Sequence, residues 1–279
     1  LTPALMATEY ADSHGHLTML FEGGAMKGAP RAPNAAEVKE LVNRARNAGV
    51  TRILVPGTHR GDLRLAVDIA EQYGGVFAAV GIHPHEAKEF DEDVDLKLFE
   101  ELSASKKVVA VGEIGLDYHY DHSPKEAQRY AVEAQLRFAR EKGLPVLLHN
   151  RESEQDLLPI LERLLPGDPG NLRGVFHSFC ADQETGQRAL ALGYLVSFSG
   201  MITFKAADNV RDAAAALPLV SMLLETDAPY LAPAPLRGKP NESSFLPRTA
   251  ARLAEVKEVP VEEVARVTTD NFRRLFRVS

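Results

Sequence analysis

Eight short β-rich apolar runs alternate with helical patterns along the 279 residues of this chain, and that alternation constrains the fold more than any other feature. The runs lie at residues 9–13, 51–55, 76–80, 108–111, 146–148, 174–176, 194–198 and 222–224. A run such as Val76-Phe77-Ala78-Ala79-Val80 is apolar at every position. A strand with one wet face would alternate, so an unbroken run predicts a parallel strand covered on both sides. Eight such strands separated by helices predict an α/β protein of the (β/α)8 TIM-barrel class, with a doubly wound open sheet as the alternative. No Pro/Gly/Ser-rich linker or compositional break divides the sequence, which predicts a single domain over residues 1–279.

Helix ends are marked locally. Ser123, Pro124 and Glu126 read as N-cap, first residue and reciprocal partner of a capping box, with Gly143 closing that helix. Gly49 and Gly193 follow apolar-periodic stretches and read as C-terminal caps. Residues 21–34, rich in glycine and proline, predict a long loop after the first strand, either a lid or an ordinary surface excursion.

The formal charge of −7 argues against coating nucleic acid through a broad basic surface. It leaves room for a locally positive cleft whose charge comes from bound metal. The one cysteine, Cys180, rules out an internal disulfide framework and fits a reducing compartment, so a cytoplasmic location is expected. The first ten residues lack a signal-peptide pattern and no stretch of 18 apolar residues occurs, so no membrane association is expected.

All nine histidines fall just after one of the first six predicted strands: His14 and His16, His59, His83 and His85, His119 and His122, His149, and His177. In a parallel barrel those positions share the face on which such enzymes build their sites. His14 and His16, two apart at a strand end, point to one side and suit a divalent metal. Glu113, set between glycines at the end of the fourth strand, could bridge two metals, while Asp117 is ambiguous, because a loop carboxylate often caps or orients neighbours without touching substrate. His149 and His177 end adjacent apolar strands, a pairing that favours ligation. Asp227, just past the eighth strand, could bind one metal and take a proton from its water. Glu225, two residues earlier, is the competing acid and is expected to serve a supporting role. Cys180 reads as a small, partly buried side chain rather than a nucleophile.

Together, Asp12-Ser13-His14-Gly15-His16, Gly81-Ile82-His83-Pro84-His85, Gly112-Glu113-Ile114-Gly115-Leu116-Asp117-Tyr118, His149-Asn150-Arg151, His177-Ser178-Phe179 and Glu225-Thr226-Asp227-Ala228-Pro229-Tyr230-Leu231 resemble the TatD family of metal-dependent deoxyribonucleases. The likeness spans nearly the whole chain. It implies an amidohydrolase-like barrel that hydrolyses DNA phosphodiester bonds, often as a 3′→5′ exonuclease, through a water activated by two metals. Carried onto these positions, it places one ion on His14, His16, Glu113 and Asp227 and a second on Glu113, His149 and His177. His83 would sit near the substrate phosphate, assisted by Arg151, and Asp227 would be the general base. Two departures stand out: Thr18 replaces an aspartate common in the family, and an Arg-Asn-Glu-Pro motif appears here as Lys239-Pro240-Asn241-Glu242-Ser243.

Imidazoles and carboxylates without thiolate suit zinc or manganese, and magnesium often supports the family's activity; two divalent ions, Zn, Mn or Mg, are therefore expected. The implied partner is DNA, single-stranded or at its 3′ ends. By loop position alone, Arg60, Lys205, Arg237, Lys239, Tyr118, Phe204 and Tyr230 are candidates to contact it. Two other readings compete. One is a barrel hydrolase using the same metals on a small ester, lactone, cyclic amide, phosphotriester or aminoacyl ester. The other is a non-catalytic scaffold that binds metal or nucleic acid.

Overall fold

A computed structural model of the chain describes residues 8–24, 26–120 and 122–279. Most of the N-terminal stretch read for targeting signals (residues 1–7), and Ala25 of the predicted loop, lie outside the described residues. The strands are β1 (Tyr10–Asp12), β2 (Val50–Val55), β3 (Val76–Val80), β4 (Val108–Asp117), β5 (Val146–Arg151), β6 (Gly174–Phe176), β7 (Tyr194–Phe198) and β8 (Met222–Leu224). All neighbours pair in parallel, in chain order. Helices follow each strand in turn: α1 (Ala35–Asn47), α2 (Leu63–Gln72), α3 (Glu92–Leu102), α4 (Lys125–Lys142), α5 (Glu154–Leu164), α6 (Gln183–Ala191), α7 (Asp208–Ala216) and α8 (Leu246–Lys257), with a further α9 (Val261–Phe276).

The sheet closes on itself between β8 and β1, which excludes the doubly wound alternative. Ser13 N donates to Leu224 O at 2.9 Å, Asp227 N to His14 O at 2.8 Å and His16 N to Ala228 O at 2.8 Å. Asp12 reinforces the seam: its carboxylate accepts from Thr226 N (2.9 Å) and Thr226 Oγ1 (2.6 Å), across 214 residues of chain.

Strand residues sort by parity, as the two-residue repeat of a strand requires. Ile53, Val55, Val80, Val146, Leu148, Val196 and Leu224 pack outward against the helices. Leu54, Ala79, Leu147, Val175, Leu195 and Leu223 form the inner core, onto which Phe272, Leu275 and Phe276 of α9 pack.

Several local expectations need correction. β4 and β5 run past their apolar segments, so Glu113 and His149 lie within strands and Asp117 ends one. Ser123 does not cap α4, which starts after Pro124 without a side-chain cap. Its hydroxyl instead donates to His85 O (2.7 Å) and accepts from Lys88 N (3.1 Å), joining the turn after β3. Gly143, Gly49 and Gly193 take the left-handed backbone expected just past helix ends. The loop at 21–34 is pinned at its base by pairing of Leu20 with Arg31, whose guanidinium also binds Glu22 and Glu37. Among the described residues, no helix is long and apolar enough to cross a membrane.

Candidate metal centre

The site begins with an irregularity in pairing. Val111 of β4 faces Val146 of β5 and Ile114 faces Leu148, so Gly112 and Glu113 together oppose Leu147 alone. Such a bulge re-aims a side chain, here the carboxylate of Glu113. It requires glycine at 112, where a Cβ would lie 2.5 Å from the Cβ of Leu147. Gly115 meets the same limit, since a Cβ there would fall 1.9 Å from His149 O.

The two oxygens of Glu113 face different sets of donors. Oε2 lies 3.2 Å from His14 Nε2 and 3.9 Å from His16 Nε2. Those nitrogens are 3.2 Å apart, and Asp227 Oδ1 stands 3.8 Å from the first and 3.5 Å from the second. Oε1 lies 2.9 Å from both His149 Nδ1 and His177 Nε2, which are 3.3 Å from each other. Ligand bonds of about 2.0–2.2 Å place donor atoms on one ion roughly 3–3.6 Å apart. Both sets are close to that spacing without further movement; among the described residues, the groups able to hold an ion are His14 with His16 and Asp227, His14 with Glu113 and His177, and His83 with Glu113 and His149, whose imidazoles and carboxylates suit a divalent cation.

Charge is arranged to match. Burial alone would raise the Glu113 carboxyl, but His177, His83 and His14 around it hold it well below the usual range. Burial would likewise raise Asp227, and its neighbour His16 with His177 and His14 brings it below. Asp227 also takes a left-handed backbone, φ 54°, immediately after its amide is tied to His14 O. Asn241 supports that turn by donating to Thr226 O (2.8 Å) and Tyr230 O (2.7 Å), so the altered motif around it still carries structural work. Thr18, the other departure, is buried with its hydroxyl unpartnered.

His83 differs from the other four imidazoles. Its Nδ1 accepts from His85 N at 3.1 Å, which places the ring proton on Nε2, 3.2 Å from Glu113 Oε1. Burial lowers its pKa to about 4, partly opposed by Glu113, so the ring is a neutral donor at pH 7.

Of the nine histidines, five surround Glu113. His85 pairs with Asp117 (2.8 Å), His119 pairs with Glu152 (2.7 Å), and His59 and His122 line the rim of a cavity of about 560 Å³ above the site. Sequence reasoning gave Asp12 no role and left Asp117 ambiguous. Asp117 accepts from His149 Nε2 (3.0 Å) as well as His85, while its second oxygen holds the amides of His119 and Tyr120. Asp12 fixes both ends of the seam that carries His14 and Asp227; the signal for it was its place two residues before His14. Of the loop residues weighed for nucleic-acid contact, only Tyr230 lines the cavity. Arg60 is engaged by Asp95 (2.7 Å), Tyr118 by Asp156 (2.6 Å), and Arg237 lies over Phe204. Arg151 and Cys180 also line the cavity, and burial pushes the Cys180 thiol up, away from a reactive thiolate.

The chain is similar to known proteins in sequence and in structure. The family described as "TatD related DNase" matches residues 11–277. The chain is 38% identical over 261 residues to the uncharacterized metal-dependent hydrolase YabD of Bacillus subtilis, covering 94% of this chain and all of that one. It is 36% identical over 251 residues to a Pantoea vagans protein named 3′-5′ ssDNA/RNA exonuclease TatD, covering 88% of this chain and 95% of the other. The crystal structure of the TatD homologue YjjV from Escherichia coli superposes with a TM-score of 0.86 at 34% identity, covering 98% of this chain and 100% of that one. A closed parallel barrel, a carboxylate shared by two donor sets and a match from the first strand to the last helix place this chain in the TatD family of metal-dependent hydrolases.

Proposed function

We propose that this protein hydrolyses phosphodiester bonds in DNA, acting on single strands from the 3′ end, with two divalent ions held by the residues around Glu113. His14, His16, Glu113 and Asp227 hold one, and Glu113, His149 and His177 hold the other. The observation that carries the reading is the division of the Glu113 carboxylate, one oxygen toward each donor set. Bound there, the ions would supply acidity to water and accept charge on phosphoryl oxygens.

The chain's own groups do the rest. Asp227, ionised by its histidine neighbours, takes the proton of the attacking water. His83 donates from Nε2 to a phosphoryl oxygen as negative charge grows there, and needs no change of protonation state to do so. Arg151, on the cavity wall, adds a fixed positive charge on the phosphate's path. The acidic body of the protein confines favourable phosphate binding to this mouth. The exonuclease name carried by the Pantoea vagans relative supports the same substrate class.

The test is incubation of purified protein with Mn²⁺ or Mg²⁺ and a 5′-labelled single-stranded oligonucleotide, beside a panel of small esters, lactones and cyclic amides. Stepwise shortening from the 3′ end, absent in Glu113→Gln, is the expected result. Turnover confined to the small-molecule panel would replace DNA as substrate, and metal binding without any turnover would leave a scaffold.

A further inference from the structure

The two donor sets are supported differently from behind. His14 and His16 are fully or nearly buried, yet the Nδ1 atom of each has no hydrogen-bond partner. Both histidines of the second set rest on a carboxylate: His149 Nε2 on Asp117 at 3.0 Å and His177 Nδ1 on Glu225 at 3.2 Å.

Glu225 is the more telling of these. It is fully buried at the end of β8, and one oxygen, Oε1, accepts from both His177 Nδ1 and Ser178 N (2.9 Å). Ser178 adopts φ 42°, a backbone that non-glycine residues rarely take. The other oxygen, Oε2, has no partner. A buried acceptor left unmade is unfavourable, so a carboxylate at this position is a poor choice for stability alone. What it does supply is an acceptor for His177 Nδ1, which turns the Nε2 edge of the ring toward Glu113 Oε1 and, with a metal bound there, would keep the ring proton on Nδ1.

We propose that Glu225 is a positioning residue for the second metal ion: it fixes the tautomer and ring orientation of His177, making the second site depend on it while the first does not. The inference rests on the reading that both donor sets hold metal. Asp117 plays the matching part for His149, but it also anchors the turn at His119 and Tyr120, so Glu225 is the cleaner position to change.

The experiment is titration of chelator-treated protein with Mn²⁺ alone, followed by calorimetry and by electron paramagnetic resonance of the bound ions, with no nucleic acid present. Glu225→Gln retains an acceptor for His177 and Ser178 while removing the charge, and Glu225→Ala removes both. Wild-type protein is expected to take two ions. The second should bind about tenfold more weakly in Glu225→Gln and about 100-fold more weakly in Glu225→Ala, with the first unchanged. Nitrogen NMR of the Zn²⁺-loaded protein should show His177 protonated at Nδ1 in wild type and in Glu225→Gln, and a loss of that single form in Glu225→Ala. Equal weakening of both ions, or of neither, overturns the assignment while leaving the two-metal reading intact. Fewer than two ions in wild type overturns that reading and this inference with it. Should Glu225→Ala fail to fold, the near-isosteric Glu225→Gln still decides between selective and uniform loss.

Discussion

The lower and upper parts of the barrel interior are built on the same strands, one inward step apart, and have opposite chemistry. Leu147, Val175, Leu195 and Leu223 point into the dry core over α9. Two residues further along the same strands stand His149, His177, Ser197 and Glu225. A strand repeats its direction every second residue, so the chain changes from floor to site simply by changing residue type at the next inward position. The floor holds the strands at fixed spacing; the upper ring uses that spacing to hold charges and imidazoles closer together than they would otherwise stay. Rigidity below is the condition for crowding above.

The strongest challenge to this division is Leu147→Asp, which puts an unpaired carboxylate into the floor. The expected loss is about 5 kcal/mol or more, enough to abolish cooperative unfolding in a thermal or urea melt. A normal melt would show that the floor is wet or pliable. Glu113→Gln addresses the upper ring: turnover should fall by roughly 10³-fold or more, as when a group of catalytic residues acting together loses a member, with the metal-free melt nearly unchanged. A large drop in stability instead would mean that the ring, too, holds up the fold. Asp227→Asn sharpens the picture further, lowering kcat by about 10²-fold or more if it is the proton acceptor.

The smallest effect is expected at Asp12, between the two regions. Burial raises its pKa to about 6, with hydrogen bonds from Thr226 opposing the rise. Its folded-state pKa therefore lies above the usual value of about 4. The protonated form stabilises the fold fully below pH 4, and that contribution fades as the pH rises through about 6. Melts of metal-free protein from pH 4 to 7 should show wild type losing ground to Asp12→Asn across this window. A constant difference between them would place Asp12 in a more polar setting.

Strand positions were legible because burial on both faces leaves continuous apolar runs, and β3, β6, β7 and β8 coincide with theirs. β4 and β5 extend further because apolarity ends where the site begins, not where pairing ends: Gly115 still pairs with His149 and Asp117 with Arg151. The capping box at Ser123 was misread for a related reason. A local pattern was overridden by a distant carbonyl, that of His85, which no spacing in the sequence announces. The residues of the donor sets were legible as polar side chains at strand ends. Asp12 and Asp117 were not, because their work lies in contacts between strands rather than in any exposed chemistry.

The seam between β8 and β1 has a topological consequence. His14 and His16 come from near the beginning of the chain and Asp227 from near its end, so a cation shared by them would tie together the two edges where the barrel was joined. Such a tie would close a very large loop, adding to the hydrogen bonds that already join these edges. With an ion bound there as proposed, its removal should loosen the join between β8 and β1 before the rest of the cylinder, making the earliest breathing motion a parting of the terminal strands rather than a general softening.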